Sequence, residues 1–457
     1  MKTYNNLYEP MLNKEEIKDC FRTAAKKKTT RRDVRQILDD LDKYVDTLYE
    51  TLLNEDFIPS FHVPKIIREN SCKKERRIVK PNYKYEQVVH HCVIRKFQPI
   101  VLDGLYEHSN GSIPGRGCHS GAKTMRKWIK GYKGKKFYVL KMDIRHFFDS
   151  IDRRILKRKL ARKIRDNRYL RLLYILTEYD RIAEVVKLLR DNKALPLSED
   201  EASKQLAKDL LRQLVTMIAY DRIDEAVEYL SVFKLTDRAR AKAEGIIRDM
   251  RKGVPLGYYT SQWFGNFYLK ELDHYIVQDL KTEHFMRYMD DMVITGRNKK
   301  RLHKIKDAIG DYLQAELNLE LKPDWQVFRF EYDTGMVDDK ERPIIKGRML
   351  DFMGFQFHYN RMTLRKSTLH NARRKALNIG RKKATGHKIS WYDSTQMLSY
   401  MGSISKSDTY GYYEDYIKPS VNVKKLKKII SNHARKEYRS HGSTVNINME
   451  NRSGVAA

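Results

Sequence analysis

Apolar residues at helical spacing dominate this chain, and short apolar stretches interrupt them at a few points. Residues 1 to about 57 follow the helical spacing, and Asn13, followed by Lys-Glu-Glu, is a capping signal for a first helix. Residues 58–82 are strand-like and contain three prolines. Helical spacing returns in YEQVVHHCVIRKFQPIVL and fills residues 155–250. The pattern therefore predicts many helices around a small number of strands.

Two of the short apolar stretches run directly into acidic residues. KKFYVLKM precedes Asp143, and a predicted hairpin carries Tyr-Met-Asp-Asp at residues 288–291. Burial of adjacent like charges is unfavourable unless a cation compensates them. Carboxylates from separate strands that converge on two metal ions are typical of phosphoryl transfer. We therefore predict a metal site and catalytic triad of Asp143, Asp290 and Asp291, with the carbonyl of Ile144 as a neutral ligand.

Three further motifs surround these acidic residues in the sequence. Gly257, in LGYYTSQ, permits close approach of the backbone to a ligand, and Gln262 begins a helix that would lie under a base pair. Lys322, in LELKPDW, is a candidate proton donor to a pyrophosphate leaving group, and an ordinary surface lysine is the alternative. Met353-Gly354, in DFMGFQF, is a predicted tight turn that would grip a primer strand.

The charge of the chain indicates a polyanionic partner. The 457 residues include 91 Lys and Arg against 59 Asp and Glu, a net charge of +32. The excess is spread over the chain, as in AAKKKTTRR, RKWIKGYKGKK and VKKLKK, which suits a long nucleic acid contacted at many points. A solvated surface is the alternative interpretation, and an excess of this size favours nucleic acid.

Other compositional features predict a cytoplasmic location. No apolar run of 18 residues is present, and the N-terminal residues lack the apolar stretch of a signal peptide, so no membrane association is expected. The four cysteines are far apart and form no CxxC pair, which fits a reducing compartment. The length predicts two to four domains.

The helical stretch contains an internal repeat. Tyr-Asp-Arg-Ile at residues 179–182 recurs 41 residues later at 220–223, and the surrounding apolar positions keep the same register. A period near 40 residues with helical spacing is typical of stacked helical hairpins. Chance similarity between two amphipathic helices is the alternative.

Read in order, these motifs resemble the palm of reverse transcriptases. The segment DIxxFFDSID that begins at Asp143, then GxxxSQ, YMDD and FMG, carry the resemblance, which covers residues 15–165 and 250–435. It implies an α+β, right-hand polymerase fold of fingers, palm and thumb. An antiparallel palm sheet would carry the YMDD hairpin, and a helical insert and a helical thumb would complete the chain.

The resemblance also divides the chain into regions. They are an N-terminal helical extension (1–57), fingers (58–135), a first part of the palm (136–165), a helical repeat-like insert (166–250), a second part of the palm (251–362), a helical thumb (363–435) and a flexible tail (436–457). No RNase H or HNH endonuclease pattern is recognised in this sequence.

The resemblance assigns substrate contacts residue by residue. Arg76 and Arg77 would hold the triphosphate of a deoxynucleoside triphosphate (dNTP), and the ring of Phe148 would exclude a 2′-hydroxyl. The dNTP-binding set is Arg76, Arg77, Phe148, Gly257 and Gln262. The primer- and template-binding set is Tyr288, Met289, Met353, Gly354 and Arg116.

The implied function is RNA-directed DNA polymerase activity. Two Mg²⁺ ions, with Mn²⁺ as a substitute, would act at the triad, and the partners would be an RNA template, a DNA or RNA primer and dNTPs. LGYYTSQ, KKKTTRRDV and VVHH are similar to the enzymes of diversity-generating retroelements, bacterial or phage.

The helical insert departs from those compact enzymes and leaves three alternatives open. The first is an antiphage-defence reverse transcriptase that acts with a dedicated structured non-coding RNA. The second is an intron maturase or splicing factor that uses RNA binding alone. In the third, the insert is a docking module for an accessory protein or for self-association.

Overall fold

The computed structural model describes residues 2–29, 31–69, 74–132, 135–196 and 200–439. Contacts divide the chain into two compact units. The first unit comprises Met1–Gly117 and Phe137–Phe328, and the second comprises Cys118–Lys136 and Arg329–Ala457. This grouping differs from the regions implied by the resemblance at residues 118–136 and 329–362, and the names fingers, palm and thumb stay predictions.

Helices make up most of the described residues. In chain order they are α1 (Lys14–Ala25), α2 (Arg32–Asp39), α3 (Leu41–Leu53), α4 (Glu86–Leu102), α5 (Cys118–Gly131), α6 (Phe147–Ser150), α7 (Arg153–Lys163), α8 (Asn167–Thr177), α9 (Tyr179–Asp191), α10 (Glu201–Ala219), α11 (Ile223–Tyr229), α12 (Asp237–Arg248), α13 (Tyr259–His274), α14 (Lys299–Leu317), α15 (Lys366–Ala384), α16 (Trp391–Ile404), α17 (Tyr410–Tyr416) and α18 (Val423–Arg439). The predicted cap of the first helix is confirmed, because the side chain of Asn13 accepts a hydrogen bond from the amide of Glu16 (3.0 Å).

The strands are shorter and form four separate sheets among the described residues. In chain order they are β1 (Lys65–Glu69), β2 (Lys74–Ile78), β3 (Ser109–Asn110), β4 (Tyr138–Asp143), β5 (His284–Tyr288), β6 (Asp291–Gly296), β7 (Gln326–Arg329), β8 (Tyr332–Val337), β9 (Pro343–Lys346), β10 (Leu350–Phe352), β11 (Phe355–Phe357) and β12 (Met362–Leu364). The combination of many helices with small sheets confirms the predicted α+β class.

The largest sheet has five strands in the order β3, β5, β6, β4 and β7. β6 pairs antiparallel with both β5 and β4, which confirms the predicted antiparallel hairpin. The edge strand β3 instead pairs in parallel with β5. The sequence did not predict β3, because two residues inside a Gly-rich loop are too short to give an apolar pattern. The inner strands are buried, with Val139 and Val293 fully inaccessible.

Residues 166–250 form helices α8 to α12, as their pattern predicts. The two copies of Tyr-Asp-Arg-Ile lie at the start of the second helix of a pair, α8–α9 or α10–α11. The first copy forms the first turn of α9, whereas only Ile223 of the second copy belongs to α11 and Asp221 has a left-handed backbone (φ 56°). The copies differ in burial. Tyr179 and Arg181 of the first copy are 1% and 0% exposed, whereas Tyr220 is 38% exposed and Arg222 is also exposed. The two copies therefore share a position at a helix pair but differ in how deeply their side chains are buried.

The second unit contains a two-stranded ribbon of β8 and β9, a three-stranded sheet of β10, β11 and β12, and the helices α5 and α15 to α18. Met353 (φ 53°) and Gly354 (φ 87°) form the turn between β10 and β11, which confirms a tight turn there. A left-handed backbone is unfavourable for most side chains, so glycine suits this position.

The C-terminal part of the chain extends the predicted helical region slightly. Helix α18 continues to Arg439, and the rest of the predicted tail, residues 440–457, lies outside the described residues, as does Cys72. Cys20 and Cys92 are buried thiols. None of the described helices combines the length and the apolar character needed to cross a membrane.

Candidate active site

The turn between β5 and β6 carries Asp290 and is held from inside the protein. Met289 has a left-handed backbone (φ 56°) and is 9% exposed. Its amide donates a hydrogen bond to the carbonyl of Asn110 on β3 (3.0 Å). A β-carbon at Gly111 would lie 2.9 Å from the Cγ of Met289, so only glycine leaves room for that side chain. Met289 therefore packs against the protein, and any primer contact by it stays a prediction.

Asp143 and Asp291 lie at the paired ends of β4 and β6, and Asp290 lies in the adjoining turn. Asp143 is directly opposite Asp291 in the strand register, and the amide of Ile144 donates to the carbonyl of Asp290 (3.3 Å). Burial raises the pKa of Asp290 to about 6, and the neighbouring charge of Asp143 adds to that shift. The structure thus brings Asp143 and Asp290 together and places Asp291 opposite Asp143 on the neighbouring strand.

Lys322 lies in this site and not on a remote surface. Its ammonium forms an ion pair with Oδ2 of Asp143, and its amide donates to the carbonyl of the same residue (2.8 Å). The neighbouring Leu321 forms a β-bridge with Ile144. Burial lowers the pKa of Lys322, but its hydrogen bond with Asp143 and the nearby negative charge outweigh burial, so the pKa is raised overall. A role as proton donor therefore requires the ammonium to leave Asp143.

The acidic cluster has the donor chemistry for a divalent cation. Oδ1 of Asp143 is buried and accepts no hydrogen bond from the described residues, and carboxylate oxygens are the ligands that hard cations prefer. Within the same residues, no group of three or more His, Cys, Asp or Glu side chains is arranged to hold a metal ion. The ammonium of Lys322 compensates Asp143 here, and the ligand set of Asp143, Ile144, Asp290 and Asp291 stays a prediction.

A buried ion pair supports the hairpin from behind. Arg287 and Asp273 are both fully inaccessible and are joined by two hydrogen bonds of 2.6 Å. Arg287 also donates to the carbonyl of Met289 (2.9 Å), and Ser109 donates to Asp273 (2.6 Å). The geometry links helix α13 and strand β3 to the turn. Sequence reasoning missed this pair, because no local pattern relates a helical Asp to an Arg 14 residues later.

Phe148 lies in the short helix α6, directly after β4. Its ring is half-buried, whereas the adjacent Phe147 is 2% exposed and part of the core. A β-carbon at Gly265 on α13 would lie 3.0 Å from the ring of Phe147 and 3.3 Å from that of Phe148. Glycine at this position therefore lets both rings pack on α13, and the ring of Phe148 stays partly accessible.

Gly257 makes a close approach, but to the protein backbone. It has φ 110°, and a β-carbon there would overlap the carbonyl oxygen of Val79. The amide of Val79 also donates to the carbonyl of Leu256 (2.8 Å). The residue after β2 is thus joined to the LGYYTSQ segment. Arg76 and Arg77 lie on β2, exposed to solvent, close in sequence to this junction.

A cavity of about 250 Å³ opens beside the same segment. Its lining includes Lys28, Gln87, His91, Gly257, Tyr259 and Gln262. The imidazole of His91 stacks on the ring of Tyr259, with centroids 4.5 Å apart and planes 23° apart. Two of the predicted dNTP-binding residues, Gly257 and Gln262, therefore share one cavity. The contribution of Lys28 could not be inferred from the sequence, because it comes from the N-terminal helical region.

Four further residues were predicted to bind primer or template. The guanidinium of Arg116 donates to the carbonyl of Tyr106 (2.9 Å), within the first unit. Tyr288 is half-buried at the end of β5. Met353 and Gly354 belong to the second unit. Their roles in primer and template binding stay predictions.

Paired carboxylates at the ends of adjacent strands, in an α+β fold, are typical of metal-dependent nucleotidyl-transferring enzymes. The family model described as "Reverse transcriptase (RNA-dependent DNA polymerase)" matches residues 67–357, more than half of the chain. The chain therefore belongs to the reverse transcriptase family, whose members use divalent metal ions and bind an RNA template and a primer. No curated protein matches the chain.

Several solved telomerase structures are similar to this chain. Telomerase from Candida tropicalis in complex with a TWJ fragment of telomeric RNA is 13% identical, with a TM-score of 0.38, and the match covers 84% of this chain and 55% of that one. The corresponding Candida albicans complex is 11% identical, with a TM-score of 0.37 and coverages of 88% and 63%. Apo telomerase from Candida tropicalis is 13% identical, with a TM-score of 0.39, and the match covers 84% of this chain and 59% of that one. The chain thus spans less than two thirds of the length of each.

Proposed function

We propose that this protein is an RNA-directed DNA polymerase that copies an RNA template into cDNA from a primer. The observation that supports this most strongly is the cluster of Asp143, Asp290 and Asp291 at the ends of β4 and β6, inside the part of the chain that the family model matches. The net charge of +32 supports a long polyanion as the template.

The side chains divide the work of nucleotide addition. Asp143, Asp290 and Asp291, with the carbonyl of Ile144, would hold two Mg²⁺ ions, which, when bound, would lower the pKa of the primer 3′-hydroxyl and neutralise the leaving pyrophosphate. Lys322, whose ammonium pairs with Asp143 in this structure, would protonate or neutralise the leaving pyrophosphate after it leaves that carboxylate. Arg76 and Arg77, exposed on β2, would bind the triphosphate.

The direct test uses the acidic pair of the hairpin. Asp290→Ala with Asp291→Ala should abolish primer extension on an RNA template, because the carboxylates that bind metal are removed, while RNA binding stays intact. The matched control is Asp338→Ala with Asp339→Ala, a second Asp-Asp pair, which lies in the second unit between β8 and β9. Undiminished dNTP incorporation by the hairpin variant would refute the proposed function.

Selection of the sugar is assigned to Phe148. A half-buried ring five residues after Asp143 would meet the 2′-hydroxyl of a ribonucleotide, so Phe148→Ala should raise incorporation of ribonucleoside triphosphates (rNTPs) relative to dNTPs. Phe147→Ala is the contrasting variant, since loss of that core ring should cost about 3–5 kcal/mol of folding free energy. An unchanged rNTP-to-dNTP ratio in Phe148→Ala would remove Phe148 from this role.

Duplex binding is assigned to residues 363–435. A groove of about 660 Å³ on α15 and α16 is lined by Arg373, Arg374, Lys375, Arg381, Gln396 and Tyr400, among other residues. Its lining includes no Asp or Glu. Lys375 pairs with Asp393 outside the lining, and the groove also presents three arginines with amide and aromatic groups beside them. Such a surface suits a nucleic acid backbone.

The biological setting is proposed to be a bacterial or phage retroelement of the diversity-generating type, on the basis of LGYYTSQ. The insert at residues 166–250 favours a second candidate, an antiphage-defence enzyme with a dedicated non-coding RNA. Sequencing of the RNA and DNA that copurify with the protein separates the two. A template-repeat RNA would favour the retroelement, and a short repetitive or self-primed product would favour defence.

A further inference from the structure

Residues 251–258 lead from the insert into α13, and near their start they are tied to the backbone of Phe148. Phe148, Gly257 and Gln262, three of the predicted dNTP-binding residues, are called the nucleotide site below. The guanidinium of Arg153 donates to the carbonyl of Gly253 (2.7 Å), and the amide of Val254 donates to the carbonyl of Phe148 (2.8 Å). Gly253 has φ 86°, and a β-carbon there would lie 2.8 Å from the carbonyl oxygen of Asp149. The position of this segment and that of the Phe148 backbone are therefore coupled.

The contacts of Arg153 and Arg251 with residues around Gly253 form a junction, and the first Tyr-Asp-Arg-Ile copy of the insert binds both arginines. Asp180 forms ion pairs with Arg153 (2.8 Å) and Arg251 (3.5 Å). Glu184, one turn further along α9, pairs with Arg251 at 2.6 Å. Arg153 is 4% exposed, so its guanidinium has little freedom to reorient. The carboxylate of Asp180, together with that of Glu178 (3.0 Å from Arg153), thus fixes the guanidinium that donates to Gly253.

Tyr179 reaches the same segment four residues beyond Val254. Its ring lies 4.5 Å, centroid to centroid, from the ring of Tyr258, which directly follows Gly257. It also lies 6.0 Å from the ring of His90, which stacks on Tyr258 at 5.1 Å. The insert therefore contacts one end of residues 253–258 directly, at Tyr258, and the other end through Arg153, which donates to Gly253. These residues connect Phe148 to the cavity that contains Gln262.

The second copy of the repeat makes none of these contacts among the residues that the structure describes. Tyr220 is partly exposed and its ring packs on Tyr174 (5.1 Å). Asp221 pairs with Arg181 (3.0 Å) and Lys157 (2.8 Å), and Arg222 pairs with Glu225 on the surface. Equivalent residues thus serve the interior of the insert in one copy and the junction with the nucleotide site in the other.

We propose that Tyr179 and Asp180 are positioning residues for nucleotide binding, so that the helical insert braces residues 253–258 and, through them, Phe148 and Gly257. The proposal rests on the proposed polymerase function. It makes the insert an integral support of the catalytic unit. The brace acts through Arg153, because a carboxylate that orients a buried guanidinium also fixes the carbonyl to which that guanidinium donates.

The test compares the two copies of the repeat. Asp180→Asn removes one of the two carboxylates that orient Arg153, since Glu178 also pairs with it (3.0 Å). Arg251→Gln loosens the same junction from a more accessible side chain. Asp221→Asn is the matched control from the second copy. For each purified variant, primer extension on an RNA template gives KM and kcat for dNTPs and the preference for dNTPs over rNTPs, and thermal unfolding gives the stability.

Asp180→Asn and Arg251→Gln should raise the KM for dNTPs and lower the preference for dNTPs over rNTPs. For Asp180→Asn the expected change is about tenfold, because a small displacement of the residues that bind a substrate lowers the reaction rate strongly. Asp221→Asn should lose stability and keep both quantities within about twofold of the wild type. Unchanged KM and sugar preference in Asp180→Asn and Arg251→Gln, or equal changes in Asp221→Asn, would overturn the proposal. If the wild type incorporated no dNTP, the proposed polymerase function would be refuted, and the positioning role of Tyr179 and Asp180 that rests on it would be refuted as well.

Discussion

Two helical regions of this chain use their charged residues in opposite ways. Residues 166–250 contain 15 Lys and Arg against 16 Asp and Glu, a net charge of −1. Residues 363–435 contain 16 Lys and Arg against 4 Asp and Glu, a net charge of +12. The net charge of +32 is therefore not a uniform property of the protein. The comparison indicates that helical content alone does not identify the part that binds nucleic acid.

The contacts explain the difference. In the insert, Glu178 is 2% exposed and pairs with Arg153 (3.0 Å), Lys157 (2.8 Å) and Arg181 (3.1 Å). In residues 363–435, Asp393 pairs with two lysines of α15, and the lining of the groove on that helix includes no acidic side chain. Charges in the first region hold the protein together, and many of those in the second remain available to a polyanion.

The largest effect is expected at the centre of the insert. Glu178→Gln leaves three buried cations without their common carboxylate, so the free energy of unfolding should fall by about 3–5 kcal/mol. Denaturant unfolding measures it. Glu225→Gln is the matched control, since Glu225 pairs with Arg222 at the surface and its loss should leave stability unchanged. Equal stability of Glu178→Gln and the wild type would break the comparison.

A smaller effect is expected in the basic groove. Arg374→Gln with Arg381→Gln removes two cations two turns apart on α15, which line the groove. The slope of log affinity against log salt for an RNA–DNA duplex should become shallower by about 2, as expected for two lost phosphate contacts. Filter binding over a salt series measures this slope. An unchanged slope would show that the groove does not contact the duplex backbone.

The smallest effect is expected on the surface of the insert. Lys204→Gln with Lys208→Gln removes two exposed cations from α10. Duplex affinity should stay within about twofold of the wild type, because the region is close to neutral and its charges are balanced. The same filter-binding series measures it. A loss of affinity like that of the groove variant would assign nucleic acid binding to the insert and erase the distinction between the two regions.

The sequence predicted the parts of the site that local patterns encode. An apolar strand that ends in Asp143 and a hairpin that carries Asp290 are both visible as short apolar stretches next to acidic residues, and the structure pairs their strands in register. The Asn13 cap and the helices of the insert were predicted for the same reason, since spacing and capping are local.

The parts that depend on distant contacts could not be predicted. Lys322 reaches Asp143 through a bridge between residues 144 and 321, and Arg287 meets Asp273 inside the protein. The repeat indicated two equivalent copies, but only tertiary packing decides that Asp180 faces Arg153 and Arg251. Gly257 was expected to approach a ligand, and the structure places the backbone of Val79 there.

The central claim is that carboxylates of the largest sheet carry out RNA-directed DNA synthesis. Asp143→Asn keeps the shape of the residue and removes its charge, and Asp149→Asn, six residues later on α6, is the matched exposed control. Single-nucleotide primer extension on an RNA template measures the rate for both. Asp143→Asn should be slower by at least about 10³-fold, and Asp149→Asn should be close to the wild type. Extension by Asp143→Asn at the wild-type rate would contradict the account.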